Sequence, residues 1–298
     1  MVVYPPGASK PLRADLLLRA VLRSDLTPVP VTIELQVRDT PDTASMREGA
    51  LFKAGRDLHE FLIVKRGGYT EDGGMQAGRN TGSRTYIGLL ASCAPVADPL
   101  QRAVIRYGGT FGEAYRACGA RAVIGSDIAI QTFVCLRGLT PSFEIARALG
   151  EAGGALVLNE RGGIDFKRLA DLTAQAPVVK LREDSAEQVQ SSLLERHLVP
   201  FAFSTDRAGA FVFGRSDAGR GIAYRPRGTQ DILNAVRSAP IVRRKVTSGF
   251  APHIRAGDCV EVGGARYFVV TAAHAMETNA TGGDAAQTST IWLAQVGA

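Results

Sequence analysis

This sequence holds residues with the types and the chain order of a serine hydrolase triad: Ser216, then Asp258 or Asp231, then His274. Ser216 lies in the run Gly-Arg-Ser-Asp-Ala, directly after Phe211–Phe213, which predicts a strand, and a hydrolase nucleophile follows a strand in this way. Such a nucleophile also needs a helix immediately after it, whereas Gly219–Gly221 favours a turn. We therefore expect a plain hairpin at Ser216 and keep the hydrolase as the alternative function.

Motifs for cofactors are incomplete. Gly219 and Gly221 begin a dinucleotide-binding pattern, but Tyr224 stands where its third glycine belongs, and no Walker A pattern occurs. His59 starts a His-Glu pair like that of a zinc-protease helix, but Ile63 stands in place of the second histidine. We therefore predict no catalytic residue, no cofactor-binding residue and no metal ligand, and so no enzyme.

Other metal-binding side chains are too scattered to make a site. His274 and Glu277 have a spacing that could hold a metal in a helix, but no second histidine is near them. The four cysteines have neither Cys-x-x-Cys spacing nor a histidine at ligand spacing. We expect buried free thiols at all four positions, since free cysteine behaves as a small apolar residue: Cys93, Cys118, Cys135 and Cys259.

Basic side chains are concentrated in one stretch. The formal net charge is +6, and residues 215–266 hold ten basic and four acidic side chains (10 − 4 = +6), so the other 25 basic and 25 acidic residues cancel. The three basic residues at 243–245, with Tyr224 and Phe250, could face a phosphate backbone. Nucleic-acid binding by Arg225–Lys245 is therefore a weaker third hypothesis, beside a solvated or subunit-facing surface.

The composition is that of a globular protein, with 45% hydrophobic and 21% charged residues. The longest apolar runs, such as Phe268–Ala273, fall far short of the roughly 20 residues of a membrane helix. Met1–Leu26 contains prolines and arginines where a signal peptide would be apolar. We expect a chain that is made and kept in the cytoplasm unless an assembly carries it elsewhere, with no membrane insertion.

The first third of the chain predicts mainly strands. Val31–Val37 alternates apolar and polar residues, which is typical of a half-buried strand. Phe61–Lys65 and Tyr86–Ala91 are further strands, and the Gly-rich Gly67–Ser83 predicts a loop between them. Leu12–Leu26 fits a helix and a strand almost equally well, so its periodicity leaves both open.

The middle of the chain mixes helices and strands. Helices are predicted after Thr110, which forms a capping box with Glu113, and after Thr140 and Pro141. The second of these would bury Phe143, Ala146 and Leu149, and a third helix would run from Asp184 to about Leu198 with Val189 and Leu193 facing inward. The predicted strands are Ile128–Leu136 and the hairpin of Ala155–Leu158 and Ile164–Leu169.

The last third returns to strands. Phe211–Phe213 is a strand, and Thr229–Val236 is a short helix ended by Pro240. A meander of three strands follows, with its first turn at Gly263-Gly264: Cys259–Val262, Arg266–Ala273 and Thr290–Gln295. The pattern as a whole predicts an α+β protein that is mainly β, because helices and short strands alternate without long βαβ spacing.

The last of these blocks is similar to a known family. Gly249–His274 contains Ile-Arg-Ala-Gly-Asp-Cys-Val, then the Gly-Gly turn, then Arg-Tyr-Phe-Val-Val. This order of a Gly-Asp turn, a strand, a tight hairpin and an aromatic return strand resembles the closing β-barrel of bacteriophage tail hub proteins. Alternation along the return strand is what a barrel strand requires.

Two further segments resemble the same hubs. Phe143–Leu149, followed by Gly153-Gly154 and the hairpin ending at Leu169, looks like their central helix and hairpin module. Arg23–Pro30 resembles their opening, which implies a strand within Leu12–Leu26. Such hubs are similar to the first half of the type VI secretion spike protein.

The resemblance implies two tube-like β-barrel domains, at 1–105 and 201–298, with an inserted α+β domain at 106–200. It also implies a trimeric baseplate hub in the virion, assembled in the host cytoplasm, that joins the sixfold tail tube to the threefold central spike. The implied partners are two further copies of the chain, a separate spike protein, a tail tube or distal tail protein, the tape measure protein and other baseplate proteins. DNA would pass through the channel without sequence-specific binding.

Overall fold

The structure, a computed structural model, describes residues 1–76, 79–189, 201–215, 221–226, 228–236, 238–278 and 286–297, with the backbone alone for 72–76 and 79–81. Its strands are β1 (Val3–Tyr4), β2 (Leu17–Asp25), β3 (Val31–Arg38), β4 (Leu51–Ala54), β5 (His59–Gln76), β6 (Arg79–Leu90), β7 (Val104–Tyr107), β8 (Thr132–Cys135), β9 (Gly154–Leu158), β10 (Ile164–Arg168), β11 (Val179–Leu181), β12 (Glu187–Gln188), β13 (Phe201–Thr205), β14 (Phe211–Phe213), β15 (Ile222–Tyr224), β16 (Pro240–Gly249), β17 (Cys259–Val262), β18 (Ala265–Glu277) and β19 (Ala286–Val296). Its helices are α1 (Phe111–Ala117), α2 (Pro141–Glu151), α3 (Leu169–Ala174) and α4 (Gln230–Ala235). None of these helices has the length and apolar character to cross a membrane.

Twelve of the described strands form one large sheet. Its order is β1-β4-β5-β6-β3-β2-β18-β19-β16-β12, with β17 pairing with both β18 and β11. Strands from the two ends of the chain therefore meet in this sheet, at the antiparallel pair of β2 and β18. Three smaller sheets hold β7 with β8, β9 with β10, and β13 between β14 and β15. The predicted α+β class with a majority of strands is confirmed.

The opening strands follow the hydrophobic pattern. The apolar residues of β3 are all buried while its polar residues alternate with them, as predicted. Leu12–Leu26 contains a strand, β2, after a short 3₁₀ turn at Ala14–Leu16. The strand that the resemblance implied is therefore confirmed, and its pairing with β3 and β18 on either side gives it the partners that its local sequence cannot reveal.

The predicted loop at Gly67–Ser83 is wrong over most of its length. β5 and β6 continue through it as one long hairpin, with Gln76 opposite Arg79. Register shifts interrupt the pairing three times, between Ile63 and Lys65 and twice beyond it, so the extra residues are absorbed as bulges. Glycine did not end these strands because each strand supplies the hydrogen-bonding partner of the other.

The first two helices lie where the sequence places them, although the buried face of the second differs. Thr110 caps α1, with its hydroxyl accepting the N–H of Glu113 at 3.3 Å. In α2 the residues Ile145 and Leu149 are buried, whereas Phe143 is 75% exposed. The predicted inward face is therefore wrong at Phe143 and Ala146, which are exposed, and right at Leu149. Residues four apart share a helix face, and the stripe through Ile145 and Leu149 faces the core.

The predicted third helix is also wrong at its start. Glu183–Ser185 is a 3₁₀ turn, and Glu187 and Gln188 then pair with β16 as strand β12. Ion pairs to that strand stabilise the extended form, with Lys245 Nζ 3.5 Å from Glu187 Oε2. Val189 is exposed. Leu193 and the remainder of the predicted helix lie outside the described residues.

The final third confirms the short helix and the meander. Thr229 accepts the N–H of Ile232 at the start of α4, and β17, β18 and β19 are consecutive antiparallel strands. The tight turn at Gly263 and Gly264 has positive φ at both glycines (56° and 84°), which glycine adopts without strain. Pro240 begins a ten-residue strand, β16, that the sequence did not predict. Upstream, the strand predicted at Ile128–Leu136 is shorter, as β8.

Candidate functional site

The residues of the hydrolase alternative have separate structural environments where they are described. Ser216 lies outside the described residues. His274 is buried within β18, and Asp258 lies in the turn before β17. His274 and Asp258 bond to different groups, and each has a structural role in the fold.

His274 is held in a buried network. Its Nε2 lies 2.9 Å from the carbonyl oxygen of Ile254, and its Nδ1 lies 2.8 Å from the hydroxyl of Ser289. A carbonyl only accepts, so Nε2 carries the proton and Nδ1 accepts from Ser289. Burial lowers the pKa of His274, the hydrogen bond to Ile254 offsets part of this effect, and the charge of Arg255 lowers the pKa further, so the ring is neutral at pH 7. With both nitrogens engaged, His274 ties β18 and β19 to the segment before β17.

Asp258 holds a turn. Its carboxylate accepts the backbone N–H of Arg255 at 2.7 Å, and Gly257 between them has φ +94°. Burial raises the pKa of Asp258, partly offset by that hydrogen bond and by the charge of Arg255. The side chain of Val157 lies where a Cβ at residue 257 would be. The turn therefore requires glycine for two reasons, the positive φ and the lack of space for a side chain. The Gly-Asp pair therefore turns the chain, as the sequence predicted.

All four cysteines are buried free thiols, as predicted. Burial raises the pKa of Cys118 to about 12, with Cys135 adding to the effect. Burial is also the main cause of the raised pKa of each of the other three thiols. The described residues hold no group of three or more side chains that could bind a metal ion.

The basic stretch is divided between different surfaces. Arg244 belongs to β16 of the large sheet, and its Nη2 lies 3.3 Å from Oε1 of Glu183. Phe250 packs edge-on against the ring of His274. Tyr224 belongs to the small sheet of β13, β14 and β15. The two aromatic residues of the nucleic-acid hypothesis therefore lie in different parts of the fold.

A polar cleft of about 740 Å³ lies where three lengths of chain meet. Arg255 reaches across it, with Nη2 3.1 Å from the carboxylate of Asp57 and Nη1 3.4 Å from the carbonyl of Asn159. On its far wall Asp165 accepts the N–H of Ser126 at 2.9 Å and the side-chain amide of Asn159 at 3.1 Å. Arg255 and Asp165 are therefore both engaged in contacts between segments that are distant in the chain.

The central feature of the large sheet is the junction of β2 and β18. Seven residue pairs run from Asp25 opposite Thr271 to Arg19 opposite Glu277. The hydroxyl of Thr271 donates to the carboxylate of Asp25, and the buried hydroxyl of Ser24 accepts the N–H of Ala256 at 2.9 Å. Side chains and backbone thus join strands from the two ends of the chain in one sheet.

The ends of this sheet are covered by very short strands. β1 covers β4 with two residues, and within the described part of the chain β12 covers β16, a strand of ten residues, with two. An uncovered strand edge presents N–H and C=O groups that another chain can pair with. The sheet edges are therefore candidate assembly surfaces.

Comparison by sequence finds no match: no protein-family model matches the chain, and neither does any curated protein. Comparison by structure does. The chain is similar to a tail protein of Neisseria meningitidis MC58, with a TM-score of 0.66, 13% identity, and 99% of this chain and 96% of that one covered. It is similar to the 43 kDa tail protein of prophage MuSo2 from Shewanella oneidensis, with a TM-score of 0.62, 14% identity, and 98% and 97% covered.

The chain has the fold of phage tail proteins. It is also similar to an Escherichia coli component of the type VI secretion system, described as similar in structure to the T4 bacteriophage tail proteins gp27 and gp5. That match has a TM-score of 0.55, 10% identity, and covers 98% of this chain and 76% of the other. The resemblance predicted from the sequence is thus confirmed at the level of the fold.

Sequence reasoning missed one surface, the aromatic face of the small sheet. Phe211, Phe213, Ile222 and Tyr224 are large apolar residues that the structure leaves exposed. Their spacing was a usable signal, because residues two apart in a strand share a face. The neighbouring strand β13 completes this face with Phe203.

Proposed function

We propose that this chain is the structural hub of a phage tail baseplate, a trimeric ring that joins the sixfold tail tube to the threefold central spike and lines the channel for DNA. One observation carries the proposal: the fold matches tail proteins over nearly the whole of both chains. The role is structural and involves no catalytic step.

In this proposal residues 1–105 and 201–298 form the two tube-like barrel domains, and residues 106–200 form the inserted domain. Three copies then present six barrels to a sixfold tube while keeping threefold symmetry toward the spike. The junction of β2 and β18 joins strands of the two proposed domains in one sheet. The strand order of that sheet is open among the described residues, so in this proposal pairing between copies completes the tube. In this proposal the parts of β4 and β16 that the described strands β1 and β12 leave uncovered pair between copies.

The proposed partners are a separate spike protein, a tail tube or distal tail protein, the tape measure protein and other baseplate proteins. DNA passes through the ring without sequence-specific contacts, since the channel must admit any sequence. The hub is assembled in the host cytoplasm and resides in the virion. The geometry does not favour the hydrolase, because the ring nitrogens of His274 bond to Ser289 and to Ile254 rather than to Asp258.

Native mass spectrometry tests the proposal on the full chain, first alone and then mixed with candidate tail tube and spike proteins. We expect a species of three times 31.6 kDa, alone or with a partner. Electron microscopy of the mixture should show a ring with a central opening. A monomer in every mixture would contradict the trimer and the ring.

A further inference from the structure

The large sheet has one buried face and one face that is open to solvent. Ile33, Leu35 and Val37 of β3 are buried, and they share a core with Phe111 of α1 and Phe166 of β10. Side chains that alternate with the buried ones point the other way. On the four central strands these are partly or fully exposed, and we call them the open face: Thr32, Glu34 and Gln36 of β3, Arg19, Val21 and Arg23 of β2, Ala273, Ala275 and Glu277 of β18, and Thr288, Thr290 and Trp292 of β19.

Of the two faces, the open one is suited to border a channel. The buried face is filled by the core that joins the sheet to α1 and β10, so it leaves no room for DNA. The alanine, threonine and valine side chains of the open face are short, and neighbouring strands hold them side by side. They therefore form a shallow wall.

The charged side chains of the open face are paired with one another or with a neighbour in the same strand. Nη1 of Arg19 lies 3.5 Å from Oε1 of Glu34, and Nε of Arg19 lies 3.6 Å from Oε1 of Glu277. Nε of Arg23 lies 2.7 Å from Oδ2 of Asp25. Arg19 thus has a carboxylate on each side, one from each strand that flanks β2.

The open face is neutral although the chain is basic. Its two arginines and two glutamates cancel (2 − 2 = 0), and Asp25 and Arg38, at the ends of β2 and β3, cancel as well. The whole chain, in contrast, carries a formal charge of +6. Proteins bind the DNA backbone through cationic side chains that neutralise phosphates. A phosphate at Arg19 would have to displace two carboxylates and would be repelled by them.

We propose that the open face is the part of the chain that lies against DNA in the channel, and that Glu34 and Glu277 keep Arg19 from holding the phosphates. This inference rests on the proposed hub, which supplies the channel. Passage of DNA requires contacts that are released at once. Paired charges on a shallow wall meet that requirement, whereas a free arginine would bind the backbone of any sequence.

The two glutamates can be tested on the full chain whether or not a ring forms. Glu34→Gln together with Glu277→Gln keeps the side-chain shapes and frees Arg19. We expect the affinity for a labelled 20-base-pair DNA duplex to rise at least about fivefold at low salt, and the gain to shrink as salt is added. Arg19→Ala in this double variant should remove the gain, and Arg19→Ala alone should leave the parent chain unchanged.

The matched control is Glu144→Gln together with Glu151→Gln. These carboxylates lie 2.9 Å and 2.7 Å from the guanidinium of Arg147, which is 46% exposed, against 47% for Arg19. The control makes the same change in net charge on α2, whose Ile145 belongs to the core behind the sheet. It should raise the affinity less than about twofold. Circular dichroism and the melting temperature establish that each variant is folded.

Size-selective labelling tests where the open face lies in the ring. Once the chain is assembled with tube and spike proteins, Ala275→Cys should react with a small maleimide and be closed to one that carries a large polyethylene glycol. Phe143→Cys on α2 should react with both reagents. Equal labelling of Ala275→Cys by both in a ring that has formed would overturn this assignment and leave the hub standing, whereas the absence of any ring would overturn the hub.

Three results of the DNA titration would also overturn the proposal. The first is a double glutamine variant of the open face that binds DNA no more tightly than the parent chain. The second is an equal gain in the control on α2, which would reflect net charge alone. The third is weaker binding by Arg19→Ala in the parent chain, because Arg19 would then already contact phosphate.

Discussion

The guanidinium group of Arg255 lies 3.1 Å from the carboxylate of Asp57, a residue 198 positions away in the chain. The same guanidinium donates to the carbonyl of Asn159, so one side chain joins the first strands, the central hairpin and the last third of the fold. Most of the Arg255 side chain is covered, which limits the screening of its charge by water.

Removing this contact should destabilise the fold. We expect Arg255→Ala to lower the free energy of unfolding by about 1–2 kcal/mol, because it removes a partly covered ion pair and a charge-assisted hydrogen bond. Urea unfolding measures the change. Arg182→Ala is the control, since the Arg182 and Asp184 pair is exposed and its loss should cost less than about 0.5 kcal/mol. Equal effects of the two substitutions would contradict this role of Arg255.

The network of His274 predicts a dependence of stability on pH. The folded pKa lies below the ordinary value of 6.5, so below pH 6.5 the unfolded chain binds the proton more readily. The contribution of His274 to stability should be constant above about pH 7 and should fall as the pH decreases from 6.5, by at most about 1.4 kcal/mol per pH unit. His59 has a lowered pKa too and adds to the same fall.

His274→Gln isolates the contribution of His274. Urea unfolding between pH 7.5 and 5.5 should show a shallower fall of stability in this variant, with the part due to His59 remaining. A slope equal to that of the parent chain would mean that His274 does not titrate differently in the folded state. Ser289→Ala should cost about 1–3 kcal/mol at pH 7, because it leaves the buried Nδ1 of His274 and the partly buried N–H of Ala251 without their partner.

The turn at Gly257 should tolerate no side chain. Gly257→Ala combines a positive φ with an overlap against Val157, and we expect a loss of about 2–4 kcal/mol. Gly264→Ala is a matched control because its φ is +84° and a Cβ there meets no atom within 4 Å, so about 1 kcal/mol should be lost. Chemical denaturation of both variants gives the comparison, and similar losses would exclude the overlap as a cause.

The thiols should be unreactive in the folded chain. Burial and raised pKa values keep the four cysteines protonated and out of reach of a disulfide reagent at pH 8. We expect no reaction within minutes in buffer and four thiols titrated in urea. Phe143→Cys supplies an exposed thiol that should react at once in the folded chain. A fast native thiol in the parent would contradict the packing described for these residues.

Local patterns predicted what local interactions determine. The alternation of Val31–Val37, the cap at Thr110 and the Gly263-Gly264 turn all lie where the sequence places them. The helix expected from Asp184 failed because partners on β16, distant in sequence, stabilise an extended chain there.

The same limit applies to the candidate sites. The order Ser216, Asp258, His274 suggested a triad, but chain order does not encode which groups meet, and His274 instead meets Ser289 and Ile254. The aromatic face depends on the pairing of β13 with β15, which no short stretch of sequence reveals. At Leu12–Leu26 the family resemblance predicted the strand that periodicity left undecided, because a resemblance reflects the fold of a whole segment rather than its local pattern alone.

The junction of β2 and β18 also determines when the fold can be completed. Asp25 and Thr271 are 246 residues apart, so β2 leaves the ribosome long before its partner strand exists. At 5–20 residues per second the edge of β2 that β18 will cover waits roughly 10–50 s during synthesis. Pairing over such a separation is intrinsically slow even then. Expression yield should therefore depend on how well the cell shields this strand, and truncation before β18 should give aggregates.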